Sequence, residues 1–329
     1  MEKKVEKRLN SISELIDFLK PENLVYIQPH NFPDHDAIAS AFGLQYIFKQ
    51  FNIPTQIVYG GLLQRGSLIQ LIKDLAIDLK RVDECEMVAS DKVVIVDGCK
   101  GNKNVTDLIG DEVAIIDHHM FKEVEDVEFS DIRPDYGACA SVIASYFEEL
   151  NLDIPKDIAT AFMIAIHIDT QNFLRGISEH DLDTYHLCFS IADVQYVDKI
   201  SRNNSVVKDL SKYKDLIKSI QYHGRIAFCY LPDGCGQNLL GILADFVLTL
   251  MEINFVVLCA KNDQKINFSL RSEVPEWNAS SIIQEALEGI GFGGGHAEMA
   301  GGVINDISNC DMELIQKKFI SIIGQLVAQ

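Results

Sequence analysis

Three short apolar runs in the first half of the chain each lead straight into acidic or imidazole side chains. LVYIQ (24–28) is followed by Pro29-His30 and then Asp34 and Asp36, KVVIV (92–96) by Asp97, and EVAII (112–116) by Asp117-His118-His119. The runs are rich in Val and Ile and are separated by helix-like segments. That is the pattern of a parallel sheet in an α/β domain. TQIVYG (55–60) reads as a further strand. In an open parallel sheet the strand C-termini lie along one edge, and ligands bind there. Three separate segments therefore bring carboxylates and imidazoles to one place.

The helical spacing of Ile38, Ala41, Phe42, Gln45 and Phe48 predicts a helix over 36–51, capped near Asp36. Segments 139–150 and 156–168 also read as helices. The second is apolar enough to be buried, and it ends at His167 and Asp169, a fourth source of carboxylate. His35 points away by simple alternation and reads as a surface residue. His167, on an apolar helix, reads as a core histidine. Neither is counted as a ligand.

A second unit begins near residue 223, with RIAFCYL, NFVVLCA and KINFSLRS as strands and 238–250 and 278–287 as helices. The polar stretch 198–218 is the linker candidate, helical in part. The expected organisation is a catalytic domain over 1–200, a linker over 201–222 and a smaller α/β domain over 223–329.

Ligand sets rich in carboxylate with some imidazole suit Mn²⁺ or Mg²⁺ better than Zn²⁺. His30, Asp34, Asp36, Asp97, His118 and Asp169, with His119 beside them, are more groups than one ion needs. The surplus points to two ions about 3.5–4 Å apart sharing a carboxylate, and Asp97, central in the sheet, is the natural bridge. Such a pair activates water and clamps a phosphoryl oxygen, so the implied reaction is hydrolysis of a phosphate ester. Asp117 reads as a partner that orients a ligand histidine.

In the second unit, GFGGGHAEMAGG (291–302) is half glycine. It reads as a loop in which backbone N–H groups at Gly293, Gly294 and Gly295 can approach an anion closely, with His296 and Arg271 as further donors. A glycine-rich turn without a ligand is the alternative. A phosphate held there would face the metal edge across an interdomain cleft.

The formal charge of −19, from 29 basic and 48 acidic residues, argues against a track for long duplex nucleic acid but leaves room for a local basic pocket. The most apolar segment, 239–260, is broken by Asp245, Glu252 and Asn254, so no membrane span is expected. The charged N-terminus has no signal-peptide core, and eight scattered cysteines form no C-x-x-C pair. Both fit reduced thiols in a cytoplasm.

Taken together, these motifs resemble the DHH/DHHA1 phosphoesterase superfamily over nearly the whole chain. The resemblance rests on His30-x-x-x-Asp34-x-Asp36, Asp97, Asp117-His118-His119, Asp169 in HIDTQNF, SLRS and GGGHAEMAGG. It implies one Mn²⁺ on His30, Asp34 and Asp97, and a second on Asp36, Asp97, His118 and Asp169, with Mg²⁺ or Co²⁺ as substitutes. It also implies His119 on the scissile phosphate, and Arg271 and His296 on the substrate's terminal phosphate or base-proximal end. The glycine-histidine signature sets the chain apart from the family's inorganic pyrophosphatases, and its length from the larger RecJ exonucleases. The nearest branch is the stand-alone nanoRNase and linear or cyclic dinucleotide phosphodiesterase group. Ala39, Gln171 and Met299 depart from the family pattern without removing a ligand.

The expected activity is therefore Mn²⁺-dependent cleavage of short oligonucleotides or linear dinucleotides to mononucleotides. A 3′-phosphoadenosine 5′-phosphate phosphatase, a cyclic dinucleotide phosphodiesterase and a non-catalytic nucleotide sensor are the alternatives. Oligomeric state is left open, a homodimer included.

Overall fold

A computed structural model describes residues 8–63, 65–102, 104–120, 126–202, 205–306 and 311–327. The charged residues 1–7, and 203–204 within the linker candidate, lie outside the described residues. The chain divides into two compact units, Met1–Asn204 and Ser205–Gln329.

The first unit runs α1 (Ile12–Leu19), β1 (Val25–Pro29), α2 (His35–Gln50), β2 (Thr55–Tyr59), α3 (Gly66–Asp74), β3 (Leu79–Arg81), β4 (Lys92–Val96), β5 (Asp111–Asp117), β6 (Phe129–Ile132), α4 (Cys139–Glu149), α5 (Lys156–Asp169), α6 (Glu179–Phe189) and α7 (Val194–Arg202). Its six strands pair in the order β3-β2-β1-β4-β5-β6, all parallel. Successive strand side chains alternate between two apolar layers. Ile27, Val94 and Val96 join the helices, whereas Tyr26, Val93 and Ile95 pack beneath Val105 and Leu108. Burial on both faces explains why the strands read as continuous apolar runs.

The order reverses between β1 and β4, which makes that junction the switch point of the sheet. Helix α2 packs over it and is buried nearly all round. Gly43 allows this, because a Cβ there would lie 2.5 Å from the Phe162 ring of α5. Asp34 caps α2, its Oδ1 accepting the Asp36 and Ala37 N–H groups at 3.0 and 3.2 Å. The sequence had placed this cap near Asp36.

The second unit contains α8 (Leu210–Ser219), β7 (Gln221–His223), β8 (Ile226–Leu231), α9 (Gln237–Leu248), β9 (Phe255–Asn262), β10 (Lys265–Ser272), α10 (Ala279–Leu287), β11 (Phe292–Gly295), β12 (Met299–Ile304) and α11 (Met312–Val327). The sheet order is β11-β12-β10-β9-β8-β7, with only β8–β9 parallel. The linker candidate 201–222 carries α8, and Leu216 of that helix is fully buried in this unit's core.

Candidate metal centre

Each ligand candidate of the first unit sits at an element end on the C-terminal edge of the sheet. His30 follows β1, Asp34 and Asp36 open α2, Asp97 follows β4, Asp117 ends β5, and Asp169 ends α5. Asp97 has φ +51°, a left-handed conformation that few side chains adopt and that Asp tolerates better than most. The bend places its two carboxylate oxygens toward different partners. Oδ2 lies 3.6 Å from His30 Nε2, and Oδ1 lies 3.5 Å from His118 Nε2 and 3.7 Å from His119 Nδ1.

Two ligand sets emerge around this carboxylate. His30, Asp34 and Asp97 offer atoms within 4.8 Å of one another, as do Asp36, His118 and Asp169. His118 Nε2 is 3.5 Å from Asp169 and 3.8 Å from Asp36. The other nitrogen of each histidine faces a carbonyl, His30 Nδ1 at Asn31 O (2.8 Å) and His118 Nδ1 at Tyr136 O (3.1 Å). Donation from Nδ1 fixes the tautomer that leaves an Nε2 lone pair for a cation. A third set, Asp97, Asp117, His118 and His119, overlaps these two. Asp117 Oδ1 accepts the His118 and His119 backbone N–H groups and faces His119 Nδ1 at 2.9 Å.

The electrostatics call for positive charge. Burial, then repulsion from Asp36, Asp34, Asp117 and Asp169, pushes the Asp97 carboxyl well above its usual range. Burial and repulsion from Asp169 and Asp34 do the same to Asp36, against the pull of the Ala140 and Cys139 N–H groups. Asp169 is raised by burial and by Asp34, with His118 and Arg175 opposing. Burial also pushes Asp34 up, but His30, Arg65, the Ala37 N–H and His35 outweigh it, so it ends low. The Asp97 Oδ1 and His118 Nε2 atoms are buried and make no hydrogen bond among the described residues. Oxygen and imidazole donors with unmet partners are what a hard divalent cation requires, so the residues fit such an ion.

Several site features were not read from sequence. The α4 N-terminus has no cap of its own, and Asp36 supplies one. Arg175 follows three left-handed residues, Gln171, Asn172 and Phe173. Its Nη2 donates to Asp169 O at 3.1 Å, which returns a cation to the cluster. Gln171, with φ +48°, occupies a left-handed backbone state that glycine adopts freely.

His35 is a correction. It is fully buried, with Nε2 3.1 Å from Ser67 Oγ, because it begins α2 and helical geometry turns it toward α3. His167 lies outside the ligand sets and packs edge-on against Phe173 at 5.5 Å.

In the second unit the glycine-rich stretch is a β-hairpin, whereas the sequence suggested a loop. Gly293 pairs with Gly302 and Gly294 with Gly301. Cβ atoms at Gly293 or Gly302 would strike Ile283 at 2.8 and 2.6 Å, so these two glycines let α10 pack closely. Gly294 and Gly301 leave open backbone. Gly295 has φ +146° and opens the turn that carries the exposed His296. Arg271 is paired with Asp245 and donates to Ser269 Oγ at 3.0 Å.

Residues 24–166 match the model of the DHH family's N-terminal domain, and residues 223–325 match that of the DHHA1 domain. The chain is 26% identical to an uncharacterised Methanocaldococcus jannaschii protein, MJ1633, over 91% of its own length and 64% of that protein's. It is 28% identical to the cyclic-di-AMP phosphodiesterase GdpP of Bacillus subtilis, over 94% of its own length and 49% of that enzyme's. It thus spans about two thirds and about half of these relatives. The fold is similar to that of an exopolyphosphatase-related protein from Bacteroides fragilis, with TM-score 0.78, 17% identity and coverage of 96% of this chain and 98% of the other. The sheet edge that gathers most of the carboxylates thus lies in a DHH-family N-terminal domain and the glycine hairpin in a DHHA1 domain, and the chain joins these two domains in that order.

Proposed function

We propose that the chain is a two-metal phosphodiesterase that hydrolyses short oligonucleotides or linear dinucleotides to mononucleotides. The carrying observation is the Asp97 carboxylate, whose oxygens divide between the His30 and His118 ligand sets. In this reading His30, Asp34 and Asp97 hold one Mn²⁺, and Asp36, Asp97, His118 and Asp169 hold the other. Bound there, the ions supply a low-pKa water and charge for a phosphoryl oxygen. Manganese is supported by the donor chemistry and by relatives that include manganese-dependent inorganic pyrophosphatases, matched over less than half of the chain.

The chain's own groups do the rest. His119 is held through Nδ1 by Asp117, whose hydrogen bond keeps the imidazole protonated to higher pH, suited to bind a phosphoryl oxygen. Burial keeps bulk solvent off the Asp36 and Asp97 carboxylates, so their charge is left for the ions. Arg271, His296 and Gly293–Gly295 hold the substrate's terminal phosphate. Arg271 then exchanges its carboxylate partner Asp245 for a phosphate.

A product-resolved panel with Mn²⁺ tests this reading, using 5′-phosphorylated RNAs from two to about two dozen nucleotides. Dinucleotides should be cleaved fastest, and equal or faster cleavage of the longest RNAs would refute the assignment. The match to GdpP over nearly the whole chain favours a second reading, a cyclic dinucleotide phosphodiesterase. Cyclic di-AMP in the same panel separates the two.

A further inference from the structure

Asp181 occupies the third position of α6 and forms a capping box with Ser178, ordinarily a feature of an exposed helix start. Here the residue is fully buried. Its Oδ2 accepts the Ser178 N–H at 2.8 Å, the Ser178 hydroxyl at 2.6 Å and, beyond the cap, the Gly137 N–H at 2.7 Å. Gly137 lies within the segment that serves the Asp36–His118–Asp169 set. One residue earlier, Tyr136 O faces His118 Nδ1 at 3.1 Å. Two and three residues later, the Cys139 and Ala140 N–H groups hold both oxygens of Asp36. A second contact fastens the same segment to α6, where the Tyr136 ring stacks on His180 with centroids 4.6 Å apart.

The other ligand set has different supports. Asp34 is fixed by the first turn of its own helix, and His30 by Asn31 O. We infer that Asp181 is a positioning residue for one of two cation sites, holding segment 136–140 so that Asp36 and His118 converge, while the His30–Asp34 site does not depend on it. This rests on the two-metal reading above. It makes the two sites separable by a residue that belongs to neither.

The test is Mn²⁺ binding to the whole chain, followed by calorimetry and by the paramagnetic resonance of free Mn²⁺. The wild type should bind two ions. Asp181→Ala should weaken one site about 10- to 100-fold, the range for a lost supporting contact, and leave the other within about twofold. Gly137→Ala approaches the same joint from its other side, since a Cβ there would lie 2.8 Å from both Asp181 Oδ2 and Gly176 O. It should produce the same selective loss. Ser178→Ala removes part of the α6 cap but keeps the Asp181–Gly137 bond. It should lower the melting temperature and leave both sites intact.

Equal weakening of both sites in Asp181→Ala, or the same selective loss in Ser178→Ala, would reduce Asp181 to a structural cap and overturn the inference. Two undisturbed sites in Asp181→Ala would do so as well. A wild type that binds fewer than two ions would instead overturn the two-metal reading and the inference with it.

Discussion

The carboxylate of Asp36 caps a helix to which it does not belong. Its Oδ2 accepts the Cys139 N–H at 2.7 Å and its Oδ1 the Ala140 N–H at 2.9 Å, more than 100 residues away in sequence. The α4 N-terminus therefore stabilises an anion that neighbouring carboxylates repel, and folding is coupled to the assembly of the site.

Neutralising that anion should separate stability from function. Asp36→Asn keeps an oxygen for one of the two α4 N–H groups, sets an amide NH2 against the other, and removes a charge that burial and Asp169 disfavour. At pH 8 without metal, the variant should melt above the wild type. With Mn²⁺ it should bind one ion fewer and lose at least about 100-fold in turnover, more than a supporting contact costs. A metal-free variant that melts below the wild type would show that the cap outweighs the repulsion.

Cation binding should become more stabilising as pH rises. Asp36, Asp97 and Asp169 are raised in the folded state, so the fold retains protons that the unfolded chain gives up above about pH 4. Their contribution to stability falls as pH climbs from that value through their folded ionisations. Divalent cations replace those protons. The rise in melting temperature on adding Mn²⁺ should grow between pH 5.5 and 8, and each saturated site contributes about 2.7 kcal/mol at a hundredfold excess over its Kd. A shift that is flat with pH, or absent, would contradict this account.

The gathering of these side chains was legible because strand C-termini in a parallel sheet share one edge, so placing His30, Asp97 and His118 together needed only the strand assignments. His35 was misread because period-two alternation was carried past the end of β1 into the first turn of α2, where each residue turns by about 100°. The glycine hairpin was hidden because glycine is depleted in strands, and its close approach to Ile283 depends on a helix that folds onto it. The S-x-x-D of Ser178 and Asp181 shows a helix start, but nothing local marks Gly137, 44 residues upstream, as the third partner.

The buried His35 supplies a stability switch of opposite sign. Burial, with Arg65 nearby, pushes its ionisation down to about 4 from 6.5. Above pH 6.5 both folded and unfolded chains hold it neutral. As pH falls below that value only the unfolded chain takes up the proton, so stability is lost until about pH 4. The full loss is about 3 kcal/mol. His35→Gln keeps a polar partner for Ser67 Oγ without the titration. Denaturant unfolding of the metal-free proteins should show the wild type losing about 3 kcal/mol more than the variant between pH 7 and 4. Parallel pH profiles would mean that His35 protonates in place.

The Asp117–His119 pair should set the alkaline limit of turnover. Asp117 Oδ1 serves three donors, the His118 and His119 backbone N–H groups and the His119 ring, and its hydrogen bond is the main cause of the raised His119 ionisation. Asp117→Asn keeps an oxygen for those donors and removes the charge, so His119 should lose its proton at lower pH. If the imidazolium binds the phosphoryl oxygen, kcat/KM falls as pH rises through that ionisation. In the variant the falling limb should then move to lower pH, with a rate deficit of about 10- to 100-fold that is larger at pH 8 than at pH 6. A uniform deficit at every pH would mean that Asp117 only orients the ring and that another group carries the proton.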